Sequence, residues 1–570
     1  MPRQLLKWTL RAGVALAVLV AALVAFVLWR QSQVEAWDAK ARAAHSTAGF
    51  PSVGREACEH GVDWACLSYA DNVTFSRMLG GPVEALRWFQ RGCSLGDATA
   101  CRRMAGAHRC GRGVPVDIPK AIQQYEGLCS EGDVEACDVH SEFALDGLAG
   151  FKVVTPRMKM QVASLALSRL DRPRFSRALE ELEKSGSTDE ALFLRTCDAL
   201  ERDKLDEAER GARDLLARSP NDPAARMLKL LTEERRAGTP WAEAFFRAWG
   251  MAGRPDLRRT RYLPWSAHSD YFACDPQAPL GNLPAGAGDA FLVQAHRHLS
   301  ASPAVLRGPL PPELLATTLR IADDEDADEV VQMAVIALSV GLAPEDPARE
   351  RLGPVAARLT ARLGTAHPDN LFFVLLASTW PAQRPNEALT VIELELLEAH
   401  LGDAYAPPHR AVFDRLERIW TETGLARPAD EAFPQMVDLL SPWGGSELSQ
   451  RAEKLALAQP ELKPRVARML QSIGQSVEKG GWLLEAMIGT AFQLKAARLN
   501  DSAEGEALVT ARRSQLRQFT RWGSWAFAEA GAWPLAALDR DRLRRGANEE
   551  LKFLERLAEI AASFPPDAGQ

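Results

Sequence analysis

Apolar positions along the chain recur at helical spacing. Long β-branched runs are confined to the N-terminus, so the pattern predicts helix throughout and no strand domain. Two stretches break it. Residues 12–29, AGVALAVLVAALVAFVLW, are uncharged and apolar, close to the roughly 20 residues a helix needs to cross a bilayer. Residues 258–288 are rich in Pro, Gly and aromatic side chains and show no period. A run that long is a functional loop or a linker. Helical spacing resumes at residue 289 and lasts to about 563, cut into hairpins by turn marks such as GPLPP, AYAPP and SPWGG. The predicted fold class is all-α: an N-terminal transmembrane helix, an α-solenoid of helical hairpin repeats and a further α-helical region.

A second pattern is laid over the first. EACEHGVDWAC, RGCSLGDATAC and GLCSEGDVEAC each place two cysteines eight positions apart. Within one helix that separation is about 12 Å, beyond the roughly 7 Å Cα limit for a disulfide, so a bond requires the chain to reverse. Gly96-Asp97 and Gly132-Asp133 supply the reversal: Gly accepts the left-handed conformation that ends a helix, and Asp caps the next one. Gly61 and Asp63 do the same with one residue between them. The predicted pairs are Cys58–Cys66, Cys93–Cys101 and Cys129–Cys137, each clipping the end of one helix to the start of the next. Successive pairs are 35 and 36 residues apart, the period of stacked helical hairpins. Zinc is the rival reading, but its sites favour tighter C-x₂₋₄-C spacing.

Between the second and third pairs, CRRMAGAHRCGRGVPVDIPKAIQQYEGLC resembles the Sel-1-like repeat in its cysteine-rich bacterial form, a relative of the tetratricopeptide repeat. The matching positions are Ala105, Gly111, Gly113, Val114, Asp117, Lys120, Ala121, Tyr125 and Gly132. The preceding unit keeps Ala70, Ala85, Trp88, Phe89 and Gly96 but alters its inter-helix loop. The resemblance covers residues 55–150. From Asp189 the chain resembles a tetratricopeptide repeat, with Thr196 at the small-residue position, Ala208 at the close helix crossing and Pro220 twelve residues later. Residues 151–257 therefore read as divergent continuation of the solenoid. Such arrays bind partners on the face made by the first helix of each hairpin. That implies Arg102, Arg103, His108, Asp138 and His140 as partner-binding candidates, joined by Glu190, Phe193 and Cys197 where the tetratricopeptide groove lies. Charge reversal at Arg102 and Arg103 is expected to leave melting unchanged, as exposed substitutions do.

The chain has 570 residues, 46% hydrophobic and 25% charged, the make-up of a multidomain globular protein. A net charge of -7 argues against nucleic acid as a partner. Arg3, Lys7 and Arg11 precede the apolar run; Arg30, Lys40 and Arg42 follow it. Only the free amino terminus tips the balance towards an inside N-terminus. RQSQVEAW behind the run lacks the small residues of a signal-peptide cleavage site. Three disulfides imply an oxidising compartment. The expected location is the bacterial inner membrane, single-pass, with the bulk of the chain periplasmic. The expected organisation is a cytoplasmic terminus 1–11, anchor 12–29, juxtamembrane segment 30–54, Sel-1-like repeats 55–150, tetratricopeptide-like repeats 151–257, loop or linker 258–288 and α-helical region 289–570.

No H-E-x-x-H, P-loop, G-x-G-x-x-G or G-x-S-x-G is present. Ser476 and Lys479 have the S-x-x-K spacing of penicillin-recognising serine enzymes, without the partner K-T-G. His268, Asp270, Cys274, Asp275, His296 and His298 crowd one region but read as ordinary loop polars. Cys110, Cys197 and Cys274 fall outside the three pairs. The expectation is a membrane-anchored scaffold or adaptor that binds protein partners in the cell envelope, with no cofactor, no metal and no catalytic residue. The alternatives are an envelope enzyme acting on β-lactam or cell-wall substrates, and a cytoplasm-facing repeat adaptor.

Overall fold

The computed structural model describes residues 29–45, 50–74, 81–111, 113–145, 156–257, 262, 283–300, 309–342, 346–379, 387–424, 428–440, 445–531 and 533–564. The predicted membrane span lies outside them except for Trp29. Among the described residues no helix is long and apolar enough to cross a membrane. The described chain is helical throughout, and its only β feature is one isolated bridge between Asn370 and Ala404. Two compact units form: Met1–His140 with Ser269–Pro276, and Ser141–His268 with Gln277–Gln570.

The first unit begins with a helix over 29–44 (α1), followed by α2 (Phe50–Glu59), α3 (Asp63–Thr74), α4 (Gly81–Ser94), α5 (Ala98–Cys110), α6 (Ile118–Ser130) and α7 (Val134–Leu145). α1 lays Val34, Trp37 and Ala41 against Val53, Ala57, Val62 and Ala65. Trp37 stacks on His60 at 4.8 Å, and the Trp64 indole N–H donates to Asp38 at 2.6 Å. The cysteine clips close as the sequence predicts: Cys58–Cys66, Cys93–Cys101 and Cys129–Cys137 are bonded, with Cα separations of 4.7, 4.5 and 4.7 Å. The turns are the anticipated ones. Gly61, Gly96 and Gly132 sit at φ 98°, 102° and 98°. Asp97 accepts from the Ala100 amide and Asp133 from the Ala136 amide, each capping the helix that follows. Ala70, Ala85, Ala105 and Ala121 are buried at the helix crossings, and Tyr125 is fully enclosed.

The second unit holds three further hairpins: α8 (Pro156–Ser168) with α9 (Arg172–Lys184), α10 (Thr188–Glu201) with α11 (Leu205–Arg218), and α12 (Pro223–Arg236) with α13 (Trp241–Met251). Thr196 meets Gly211 where α10 and α11 cross, and Ala208 is buried beside them. A larger core follows, from α14 (Ala287–Ser300) through α15 (Pro312–Ala322), α16 (Glu329–Gly341), α17 (Ala348–Ala366), α18 (Leu371–Thr379), α19 (Val391–Ala399), α20 (His409–Glu422), α21 (Pro428–Leu440), α22 (Gly445–Ala458), α23 (Lys463–Glu478) and α24 (Leu483–Leu499). α25 (Ala503–Gly531) leads to α26 (Ala536–Ser563), which ties both cores together. Its first turn donates the Ala537 amide to Glu201 at 3.1 Å, and its middle pairs Arg544 with Glu417 at 2.8 Å. The acidic run 323–329 ends in a helix start: Asp328 caps α16 by accepting from Val330 and Val331.

Candidate partner-binding surface

The first helices of the clipped hairpins are α3, α5 and α7. A largely buried ladder of charges runs between them from one repeat to the next. Arg102 on α5 pairs with Asp133 at 2.5 Å and with Glu135 on α7. Asp133 uses its other oxygen to cap α7. One carboxylate thus starts a helix and holds the neighbouring repeat. Arg103 faces the other way, 3.9 Å from Asp71 on α3. Burial pushes the Asp71 carboxyl above its ordinary value, with the Arg103 charge opposing. Arg91 makes a different link, donating to the Cys58 and Glu59 carbonyls at the end of α2. A cation there satisfies carbonyls that a helix terminus leaves unpaired.

The sequence candidates divide by their surroundings. Arg102 side-chain exposure is only 14%; it makes inter-repeat ion pairs with Asp133 and Glu135 and also donates to the Thr99 hydroxyl at 3.1 Å. The expectation that its reversal leaves melting unchanged is therefore corrected: reversal sets a carboxylate against Asp133 and Glu135. His108 and His140 are buried. Burial holds the His108 imidazole below its ordinary pKa, helped by Lys120, and takes His140 down to about 4. Asp138 lies on α7, with its side chain outside the described residues. Arg103 is no more accessible than Arg102, its side chain being 15% exposed; what sets it apart is its long ion pair to Asp71.

In the second unit, Glu190 is partly exposed, whereas Phe193 and Cys197 are fully buried. Burial raises the Cys197 thiol well above its ordinary range. The groove position is filled by the chain itself. Tyr262 stacks on Phe193 at 5.4 Å and shares a 2.8 Å hydrogen bond with Ser219. Trp533 packs against Phe193 and Phe245 at 5.5 and 6.0 Å. A buried ring offers nothing to a partner, so Phe193 and Cys197 serve the core here. Local spacing carries no sign of this, because Trp533 lies hundreds of positions away. The acids Asp71, Asp133 and Glu135 were also missed as partners of the arginines. Only the Gly-Asp turn hinted at one of them.

The chemical candidates are equally plain. Ser476 lies in the last turn of α23, and Lys479, just beyond it, is exposed and gives its amide to the Ser476 carbonyl. His296 is buried and bonds Glu431 at 3.2 Å. His268, Asp270, Cys274 and Asp275 lie outside the described residues. Among the described residues no cluster of three or more His, Cys, Asp or Glu side chains could hold a metal. Cys110, the last residue of α5, is disulfide-bonded.

No protein-family model matches the chain, and no curated protein matches it. Among solved structures it is similar to the crystal structure of c5321, a protective antigen present in uropathogenic Escherichia coli strains displaying an SLR fold. The identity is 12%, over 91% of this chain and 99% of that chain, with a TM-score of 0.21. A superposition that loose carries no argument about this chain.

Proposed function

We propose that the protein is a helical-repeat scaffold tethered to the bacterial inner membrane by residues 12–29, with its repeats in the periplasm, where they bind protein partners. The observation that carries this reading is the set of three disulfide clips, one at each junction between stacked hairpins. Bonds that hold a fold together persist in oxidising compartments and are rare in the cytosol. The face of α3, α5 and α7 is the proposed docking surface. Its charges are paired within the array, so a partner gains by exchange: an acidic group displaces Asp71 from Arg103, the longest pair of the ladder.

The test joins topology to binding. Native membranes are washed with carbonate, spheroplasts are treated with protease, and crosslinked partners are recovered with wild type and with Arg103→Glu. The expected result is membrane retention, protease access to residues 30–570, and at least a tenfold loss of crosslinked partner, on the order of one lost charge-assisted contact. A soluble chain beginning near residues 30–45 removes the anchor. Free thiols at all six clip positions support the cytoplasm-facing adaptor instead. Undiminished crosslinking by Arg103→Glu moves the docking surface elsewhere.

A further inference from the structure

α26 is one long helix only in outline. Its backbone leaves the helical region at Glu549, with φ -154° and ψ 60°. The break brings the next residues onto the turn between α23 and α24. The Leu551 amide donates to the Gly481 carbonyl at 2.8 Å, and the Leu483 amide donates to Glu550 at 3.0 Å. The Trp482 indole N–H reaches the Ala547 carbonyl, just before the break, at 3.4 Å. The half-buried Glu550 thus satisfies an amide that the first turn of α24 leaves without a partner of its own.

A second carboxylate stands at the same helix start. Glu485 is buried and accepts from the Trp482 amide at 3.3 Å and from the Tyr405 hydroxyl at 3.2 Å. His409, the first residue of α20 and also buried, brings its Nε2 within 3.2 Å of Glu485 and stacks flat on Trp482 at 4.0 Å. Gly480 permits this approach: a Cβ there would stand 2.5 Å from the Glu485 carboxylate and 2.8 Å from the Tyr405 ring. The neighbouring elements direct their charges elsewhere. α21 presents the apolar Phe433 ring to Gly546 and Trp482. α25 sends Arg512 to Glu478 at 2.8 Å, with Glu555 at 3.8 Å. On α26 itself, Lys552 pairs with Glu549 and Arg544 with Glu417.

We propose that Glu550, Glu485 and His409 work as a proton-operated latch on the break in α26, closed when Glu550 carries a proton and loosened when that proton leaves. Two carboxylates at one desolvated helix start repel when both are charged. Neutralising Glu550 removes the repulsion, and its carbonyl oxygen still accepts from Leu483. The titration runs in the same direction. Burial raises the Glu550 carboxyl above the ordinary 4.5; the Leu483 bond opposes, Glu485 adds to the rise and His409 tempers it. A carboxyl raised in the fold holds its proton more tightly there than in the opened chain. The latch is therefore whole below about pH 4.5 and weakens as pH climbs through the raised value.

Hydrogen exchange of the full-length protein is followed from pH 4.5 upward, each rate divided by that of the unstructured chain at the same pH. In wild type the protection of the Leu483 and Leu551 amides should fall as pH rises, by about tenfold for each unit by which the fold raises Glu550. Glu550→Gln keeps a neutral acceptor for Leu483 and should hold that protection level. Glu485→Gln keeps an acceptor for Tyr405 but removes the repelling charge, and should move the fall to lower pH. Parallel curves for wild type and Glu550→Gln overturn the proposal. If Glu550→Gln does not fold, Glu485→Gln decides: a fall moved to lower pH supports the latch, and an unmoved one overturns it.

Discussion

Asp133 shows how much one side chain carries. One oxygen caps α7, the other anchors Arg102, and the preceding Gly132 makes the turn that admits the clip. The turn and the cap were legible because they are local. The Arg102 pairing was not, because helix position alone does not say which charge sits across from it in the next repeat. His140 offers a residue-scale prediction. Burial takes its pKa from 6.5 to about 4, so the ring is neutral in the fold. The unfolded chain takes up its proton first as pH falls. The stabilisation is therefore whole above pH 6.5 and is lost progressively towards pH 4. Thermal melts across that window should show wild type losing stability relative to His140→Gln. Parallel curves would mean that water reaches the ring.

At the scale of elements, the hairpins of the second unit hide their repeat in side-chain identity. Leu170, Asp203 and Gly238 occupy equivalent turns at φ 58°, 57° and 81°, near the tetratricopeptide period of about 34 residues. The conformation repeats, while the residue type does not. Another element-level feature is the crossing of α23 and α24. A Cβ on Gly474 would stand 2.6 Å from the Gly489 carbonyl and 2.8 Å from the Gln493 side chain. In an open helix, Gly→Ala gains roughly 0.5–1 kcal/mol. Overpacking a tight crossing costs about 1–3 kcal/mol, and backbone cannot swing aside, so the clash wins. Gly474→Ala should lower the melting temperature by circular dichroism. A rise would show that the two helices part easily.

Across the whole molecule, α26 is what makes the second unit one body. It pairs with Glu201 and Glu243 at one core and with Glu417 at the other. Its break at Glu549 lets Glu550 accept from the Leu483 amide at the start of α24. Burial pushes the Glu550 carboxyl up, against the pull of that hydrogen bond. Just before α26, Trp533 fills the space over Phe193 and Phe245. Trp533→Ala should destabilise by about 3–5 kcal/mol, the usual cost of emptying a buried aromatic site. Hydrogen exchange should then accelerate in α10 and α13, which lie far from position 533 in sequence. Unchanged exchange there would mean the C-terminal segment closes nothing.

The cysteine clips, their Gly-Asp turns and the all-helical class could be read directly, because each depends on residues within a turn or two of one another. The identity of the surface could not. Phe193 and Cys197 sit at groove positions by spacing, yet distant parts of the chain bury them. Arg102 looks solvent-facing by register, yet two acids from the next repeat enclose it. Burial and charge pairing are sums over neighbours brought together by folding, and those neighbours are set by how the hairpins stack rather than by any one helix's own pattern.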